Sequence, residues 1–271
     1  MNNLKADCHI HSSVSPDSNT PLREICESAC ENGIQTIIVT NHLEYYIDED
    51  GKNGSMDISY VENSLEEIEK CRVEFQERLE ILFGMEMGQM HYWTKDVKKN
   101  IKGYKFDYLL GSIHKLGNLD LKNGDYSEEN REKQNEKYLN SLYEMVVSCD
   151  FDCVGHFDLV KRYGANHNVE IKLMKQHEEK VRDILKEVIK RGKGIEINTS
   201  GMRQLCKESM PSFDILKLYK ELGGTIITLG SDAHRSEDVG AGFDEIIIGL
   251  KEIGINQLAV YRERRPYFYD I

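Results

Sequence analysis

Six of the nine histidines in this 271-residue chain stand where an imidazole can do metal chemistry. His9 and His11 sit two apart in DCHIHSSVSPDS, so on an extended chain both rings leave the same face and can grip one ion. Asp232 and His234 repeat that spacing in GSDAH. His42, His114 and His156, with Glu86 and Glu196, each close a short apolar run. Six imidazoles gathered in one volume repel when protonated and lack partners when neutral, and a divalent cation resolves the conflict. The set contains no thiolate, so a catalytic site of imidazole and carboxylate ligands is expected rather than a closed structural zinc site. Zinc, iron and manganese all accept such ligands, which leaves the metal open.

These residues can meet only if the elements carrying them converge. Seven β-rich runs, KADCHIH, QTIIVTNH, LEILFGME, FDYLLGSIH, FDCVGHFD, GIEINTS and TIITLGSDAH, alternate with helical patterns, and no linker, repeat or low-complexity tract divides them. That alternation predicts an α/β fold of parallel strands with helices outside, as a single domain over residues 1–271. In a barrel of such strands the carboxyl ends open on one face, which carries the active site. Among the helices, TPLREICESACENG places Thr20 as an N-cap, Leu22, Ile25, Cys26 and Ala29 on one face, and Gly33 as a stop. SYVENSLEEIEKCRVEF opens on a capping-box pair, Ser59 and Glu62, with Val61, Leu65, Ile68, Cys71 and Phe75 at helical spacing.

Composition narrows the partners. A net charge of −12 argues against nucleic acid as a general partner. No leader pattern and no apolar run of membrane-spanning length is visible, so a soluble cytoplasmic protein with no membrane partner is expected. Seven cysteines without a C-x-x-C pair suit reduced thiols in a core.

The stretches DCHIH, VTNH, GMEMG, GSIHK, GHFDLVKRYG, EINTSG and GSDAHR, in this order from Asp7 to Arg235, resemble the polymerase-and-histidinol-phosphatase (PHP) superfamily, and within it the histidinol-phosphate phosphatases. The resemblance implies a distorted (β/α)7 barrel with three divalent transition-metal ions at its carboxyl face. It implies that His9, His11, Glu86 and Asp232 hold the first ion, with Glu86 bridging to a second held by His114 and His156. Asp17, His42 and His234 would hold the third. Glu86 and Asp232 are the residues expected to carry catalysis. Asn41 departs from the pattern, which usually has Asp there; an amide orients a neighbour but adds no charge.

Charge then points to the substrate. Three divalent ions, less Asp17, Glu86, Asp232 and one hydroxide, leave about two positive charges, which matches a phosphate monoester dianion. A hydroxide between two ions would attack phosphorus in line with the leaving alkoxide, with no protein nucleophile. Ser112, Ser231 and Cys8 are then packing or orienting groups. Arg162 and Arg203 follow the fifth and sixth strands, and the resemblance suggests that they contact phosphate, where a guanidinium offers paired donors. Asn198 is expected to orient a ligand or to satisfy backbone. His91 is expected to be structural, and His167 and His177 to lie at the surface. The basic tail YRERRPYFYD is expected to be a solvated or barrel-closing segment. The function implied is hydrolysis of L-histidinol phosphate in histidine biosynthesis. Spacing and composition alone also admit a phosphoesterase acting on another small ester or a nucleotide, and a metal-binding domain without catalysis.

Overall fold

The computed structural model describes residues 5–271. All seven expected strands form: β1 (Ala6–Ile10), β2 (Thr36–Val39), β3 (Glu80–Gly88), β4 (Tyr108–Ser112), β5 (Cys153–Val154), β6 (Gly194–Asn198) and β7 (Ile227–Gly230). Each pairs in parallel with the next in chain order. The ring closes where His11 N donates to Ala233 O at 2.9 Å and Asp232 N donates to His9 O at 2.8 Å. The result is the distorted (β/α)7 barrel expected, with strands apolar on both faces because helices cover the outside.

Six longer helices pack around it: α1 (Leu22–Glu31), α2 (Ser59–Phe75), α3 (Arg131–Ser148), α4 (Glu178–Lys190), α5 (Phe213–Glu221) and α6 (Phe243–Glu252). The α1 face is the one expected, with Leu22, Ile25, Cys26 and Ala29 buried. Its cap is not. Thr20 Oγ1 donates instead to His234 O at 3.0 Å, and the free Leu22 N–H goes to Glu67 Oε1 of α2 at 3.1 Å. Ser59 does not cap α2 either: it is the first helical residue, and Asp57 Oδ1 accepts its N–H at 2.8 Å. In both cases a carboxylate, the stronger acceptor for an unsatisfied helix N–H, displaces the hydroxyl.

At the amino end of the barrel, the tail forms an antiparallel hairpin, Gln257–Arg262 against Arg265–Asp270. Val260 and Tyr261 pack with Ala6, Cys8, Ile38, Leu82, Tyr108, Leu110 and Cys153, plugging the barrel. The tail arginines serve this closure, Arg262 pairing with Glu80 and Arg264 with Asp152. The seven cysteines are free, and five of them are buried.

One departure matters for the site. After β2 the chain resumes as a further strand, His42–Ile47, which runs parallel to the far half of β3 and sets His42 beside Glu86 and Glu44 beside Gly88.

Candidate metal centre

The carboxyl ends of the strands bring all nine candidate ligands to one mouth. His9 and His11 end β1, and their Nε2 atoms lie 2.9 Å apart. Glu86 Oε2 lies 3.3 Å from His9 Nε2 and 3.5 Å from His11 Nε2, and Asp232 Oδ1 lies 3.5 and 3.4 Å from the same two atoms. An ion about 2.0–2.1 Å from its nitrogen or oxygen ligands requires tetrahedral edges of roughly 3.3–3.4 Å; the four carboxylate–imidazole distances are close to that, and His9, His11 and Glu86 form a group able to hold an ion, with Asp232 beside it. Glu86 Oε1 faces the other way, 2.8 Å from His156 Nε2 and 3.1 Å from His114 Nε2, which are 3.2 Å from each other. Asp17 Oδ2 lies 3.2 Å from His42 Nε2 and 3.0 Å from His234 Nε2. His11, Asp17, His42 and His234 form one group able to hold an ion; Glu86, His114 and His156 form another.

The far sides of the rings explain why these nitrogens are available. His9 Nδ1 is bonded to Glu196 Oε1 at 2.6 Å, His114 Nδ1 to Glu44 Oε1 at 2.7 Å, His11 Nδ1 to Ser15 Oγ at 3.2 Å and His234 Nδ1 to Asp232 O at 3.0 Å. With the Nδ1 proton committed in this way, each ring, once neutral, turns a lone pair toward the mouth. Lone pairs 2.9 Å apart need a proton or a metal ion between them, and the donor set suits a divalent ion of the zinc, iron or manganese kind.

Without an ion, charges in the mouth are strongly coupled. Burial and the rings of His234 and His42 push His11 down to about 3. Burial opposes the charge on His42, but Glu86, Asp17 and Glu44 outweigh it and push that ring up to about 10. Burial likewise opposes ionisation of Glu86 and Asp232, yet the surrounding imidazoles hold both well below the usual carboxylate range. His156 and Asp232 also take left-handed backbone, φ 21° and 54°. Such strain in non-glycine residues, on the order of 1–3 kcal/mol each, collects at functional sites.

Supporting residues fall partly where expected. Ser112 Oγ donates to Glu86 Oε1 at 2.7 Å. Asn198 Nδ2 reaches Glu196 Oε2 at 3.3 Å and His9 Nδ1 at 3.4 Å, so it orients the His9 side of the site. Asn41 points away from the ions: its Oδ1 accepts from Ser12 N at 2.8 Å and its Nδ2 donates to Ser64 Oγ at 2.9 Å. It fastens the turn after β1 through hydrogen bonds that need no charge. His91 is half-buried away from the mouth with both ring nitrogens covered, His167 is exposed, and His177 is half-buried against Glu132 at 3.0 Å.

Three residues escaped the sequence reading. Glu44 stands two after His42 on the strand that continues past β2; that H-x-E spacing was the available signal. Gln89 follows β3 in left-handed backbone, φ 49°, and its amide spans Glu44, Tyr45 O and the backbone of His114 and Lys115. Glu67 accepts from Ser12 Oγ at 2.5 Å as well as from Leu22 N, and no local pattern marks it.

The mouth opens into a cavity of about 520 Å³. Arg162 lines it, its guanidinium 5.6 Å from the Tyr163 ring centre. Arg203 lies in an adjoining pocket that shares Arg162, Asp232 and His234. Its Nε pairs with Asp238 at 2.9 Å and its Nη2 donates to Ser231 O at 2.8 Å, while Nη1 is buried without a partner.

Comparison with known proteins fits this arrangement. The PHP domain family matches residues 7–200. The chain belongs to the PHP family. The histidinol-phosphatase of Lactococcus lactis is 28% identical over 260 residues, covering 95% of this chain and 94% of its own. A Clostridium acetobutylicum protein described as a probable histidinol-phosphatase is 30% identical over 242 residues, covering 88% and 89%. The barrel also matches the crystal structure of histidinol phosphate phosphatase from Lactococcus lactis complexed with zinc, L-histidinol and phosphate. The TM-score is 0.84 at 25% identity, over 97% of this chain and 98% of that one. Asp232 and His234 lie beyond the stretch matched by the PHP domain itself. No helix among the described residues is long and apolar enough to cross a membrane.

Proposed function

We propose that this PHP protein is a metal-dependent phosphatase that hydrolyses L-histidinol phosphate to L-histidinol and phosphate, a step of histidine biosynthesis, using three divalent ions. The observation that carries the reading is the convergence of six imidazoles with Glu86, Asp17 and Asp232 at one mouth, in a chain that matches histidinol-phosphatases almost end to end. His9, His11, Glu86 and Asp232 would hold one ion, Glu86, His114 and His156 a second, and Asp17, His42 and His234 a third. Bound there, the ions supply Lewis-acid polarisation of the phosphate and an activated water.

The protein's own part is positional and electrostatic. Glu86 presents one oxygen to each of two clusters, fixing their separation. Glu196 and Ser15 hold the rings of His9 and His11 in the orientation that faces the mouth. The sequence count of charge also changes: half-buried Glu44 and buried Glu196 add two carboxylates, so the site with its ions comes out near neutral instead of about two positive. Phosphate charge then falls more heavily on Arg162, which lines the cavity, and on Nη1 of Arg203 in the adjoining pocket, the one nitrogen of that guanidinium noted without a partner. Phosphate release from histidinol phosphate, nucleotides and sugar phosphates, measured on protein of recorded metal content, tests the assignment. No release from any ester by the metal-loaded protein would overturn it.

A further inference from the structure

Glu44 has no ligand role in this reading, yet it is placed between two imidazoles that serve different ions. We propose that Glu44 is a positioning carboxylate coupling the second metal position to the third, through His114 and His42, so that removing it weakens both positions at once. The proposal rests on the metal reading above.

Its Oε1 accepts the His114 Nδ1 proton at 2.7 Å and lies 3.1 Å from His42 Nδ1. The first contact is an aligned hydrogen bond. The second is a charge contact off the hydrogen-bond line, and His42 Nδ1 shares it with Glu86 Oε2, also at 3.1 Å. Both rings turn their other nitrogen, Nε2, toward the candidate ligands: His114 to Glu86 and His156, His42 to Asp17. One oxygen therefore bears on two rings that face two positions, on the His114 Nδ1 side by a hydrogen bond and on the His42 Nδ1 side together with Glu86. Removing it changes both rings at once, because a carboxylate on the far nitrogen raises ligand basicity and fixes ring orientation.

The surroundings hold Glu44 in that place. Parallel pairing sets it beside Gly88, and a Cβ at Gly88 would collide with its carboxylate. Gln89 Nε2 donates to Glu44 Oε2 at 2.8 Å and to Tyr45 O at 2.9 Å, while Gln89 Oε1 accepts from the backbone of His114 and Lys115. That amide cannot flip without losing all four bonds. It always presents a donor to position 44, so a glutamine there must set its own NH2 either against Gln89 or against the imidazole N–H. Carboxylate is the group that satisfies both sides.

Wild type, Glu44→Gln and Gly88→Ala are loaded with zinc, dialysed against graded chelator, and counted by elemental analysis, with far-UV circular dichroism as the folding control. Gly88→Ala keeps every polar group and displaces only the carboxylate, so it carries the test should Glu44→Gln not fold. Both variants should release two zinc ions at about ten- to a hundredfold less chelator than wild type and keep the other. A wild-type release profile in folded variants, or early loss of one ion alone, overturns the coupling. If wild type itself holds no zinc, the metal reading fails first and the coupling fails with it.

Discussion

Glu86 Oε1 lies 2.8 Å from His156 Nε2, while Oε2 of the same carboxylate faces His9 at 3.3 Å. A neutral amide offers one acceptor oxygen where this geometry uses two charged ones. Glu86→Gln should therefore lower kcat by at least about a hundredfold and reduce metal content, since even outlying partners of metal ligands affect affinity and activity by ten- to a hundredfold. Steady-state kinetics with elemental analysis checks it; near-wild-type values in both would remove Glu86 from the bridging position.

Metal content itself is the second prediction. Mildly purified protein should carry close to three transition-metal ions per chain, and chelation should abolish activity. Fewer than one ion per chain with full activity in excess chelator would end the metal reading.

Loading should also move protons. Among the groups opposed by burial but raised by their carboxylate neighbours, His42 reaches about 10, and His9 and His114 lie well above the ordinary value. His42 thus favours its protonated form at pH 7 in metal-free protein, with His9 and His114 biased in the same direction, and a metal accepts only the neutral ring, so binding releases protons and tightens as pH rises. Titration calorimetry in buffers of different ionisation enthalpy reads the release; a buffer-independent heat would contradict it. The sign for stability follows: the raised His42 value contributes fully below its ordinary 6.5 and is lost as pH rises through about 10. Chelated protein should accordingly melt lower at pH 10 than at pH 7.

The two arginines should separate from the metals and from each other. Arg162→Ala should lower kcat/KM by about ten- to a few hundredfold, the worth of one charge-assisted contact, with metal content and melting temperature unchanged. Arg203→Ala should show a similar loss and also destabilise the protein, because its guanidinium ties Asp238 to Ser231 O. Lysine at either position should restore only part of the efficiency. Wild-type kcat/KM in either alanine variant would return that arginine to a structural role.

Substrate preference is the fifth prediction. Histidinol phosphate should exceed nucleotides and sugar phosphates in kcat/KM. A competitor ahead by tenfold, about 1.4 kcal/mol of transition-state discrimination, would leave the metal mechanism and replace the substrate.

What the sequence determined by itself was the set of strand ends. Period-two patterning puts His9 with His11 on one face, and parallel strands must open at one end, so the common location of the strand-end histidines and carboxylates was legible before any coordinates, whereas Asp17 and the division into three ion positions came only from the family resemblance. What surrounds the ligands was not. Glu44 touches His114, 70 residues away, and Glu196 touches His9, 187 residues away. Glu67, 45 residues from Leu22, replaces the hydroxyl expected to cap α1. A buried carboxylate is placed by whichever N–H or imidazole the fold leaves unpaired, and that is settled only when the strands have closed and the acceptor with the most charge reaches the donor.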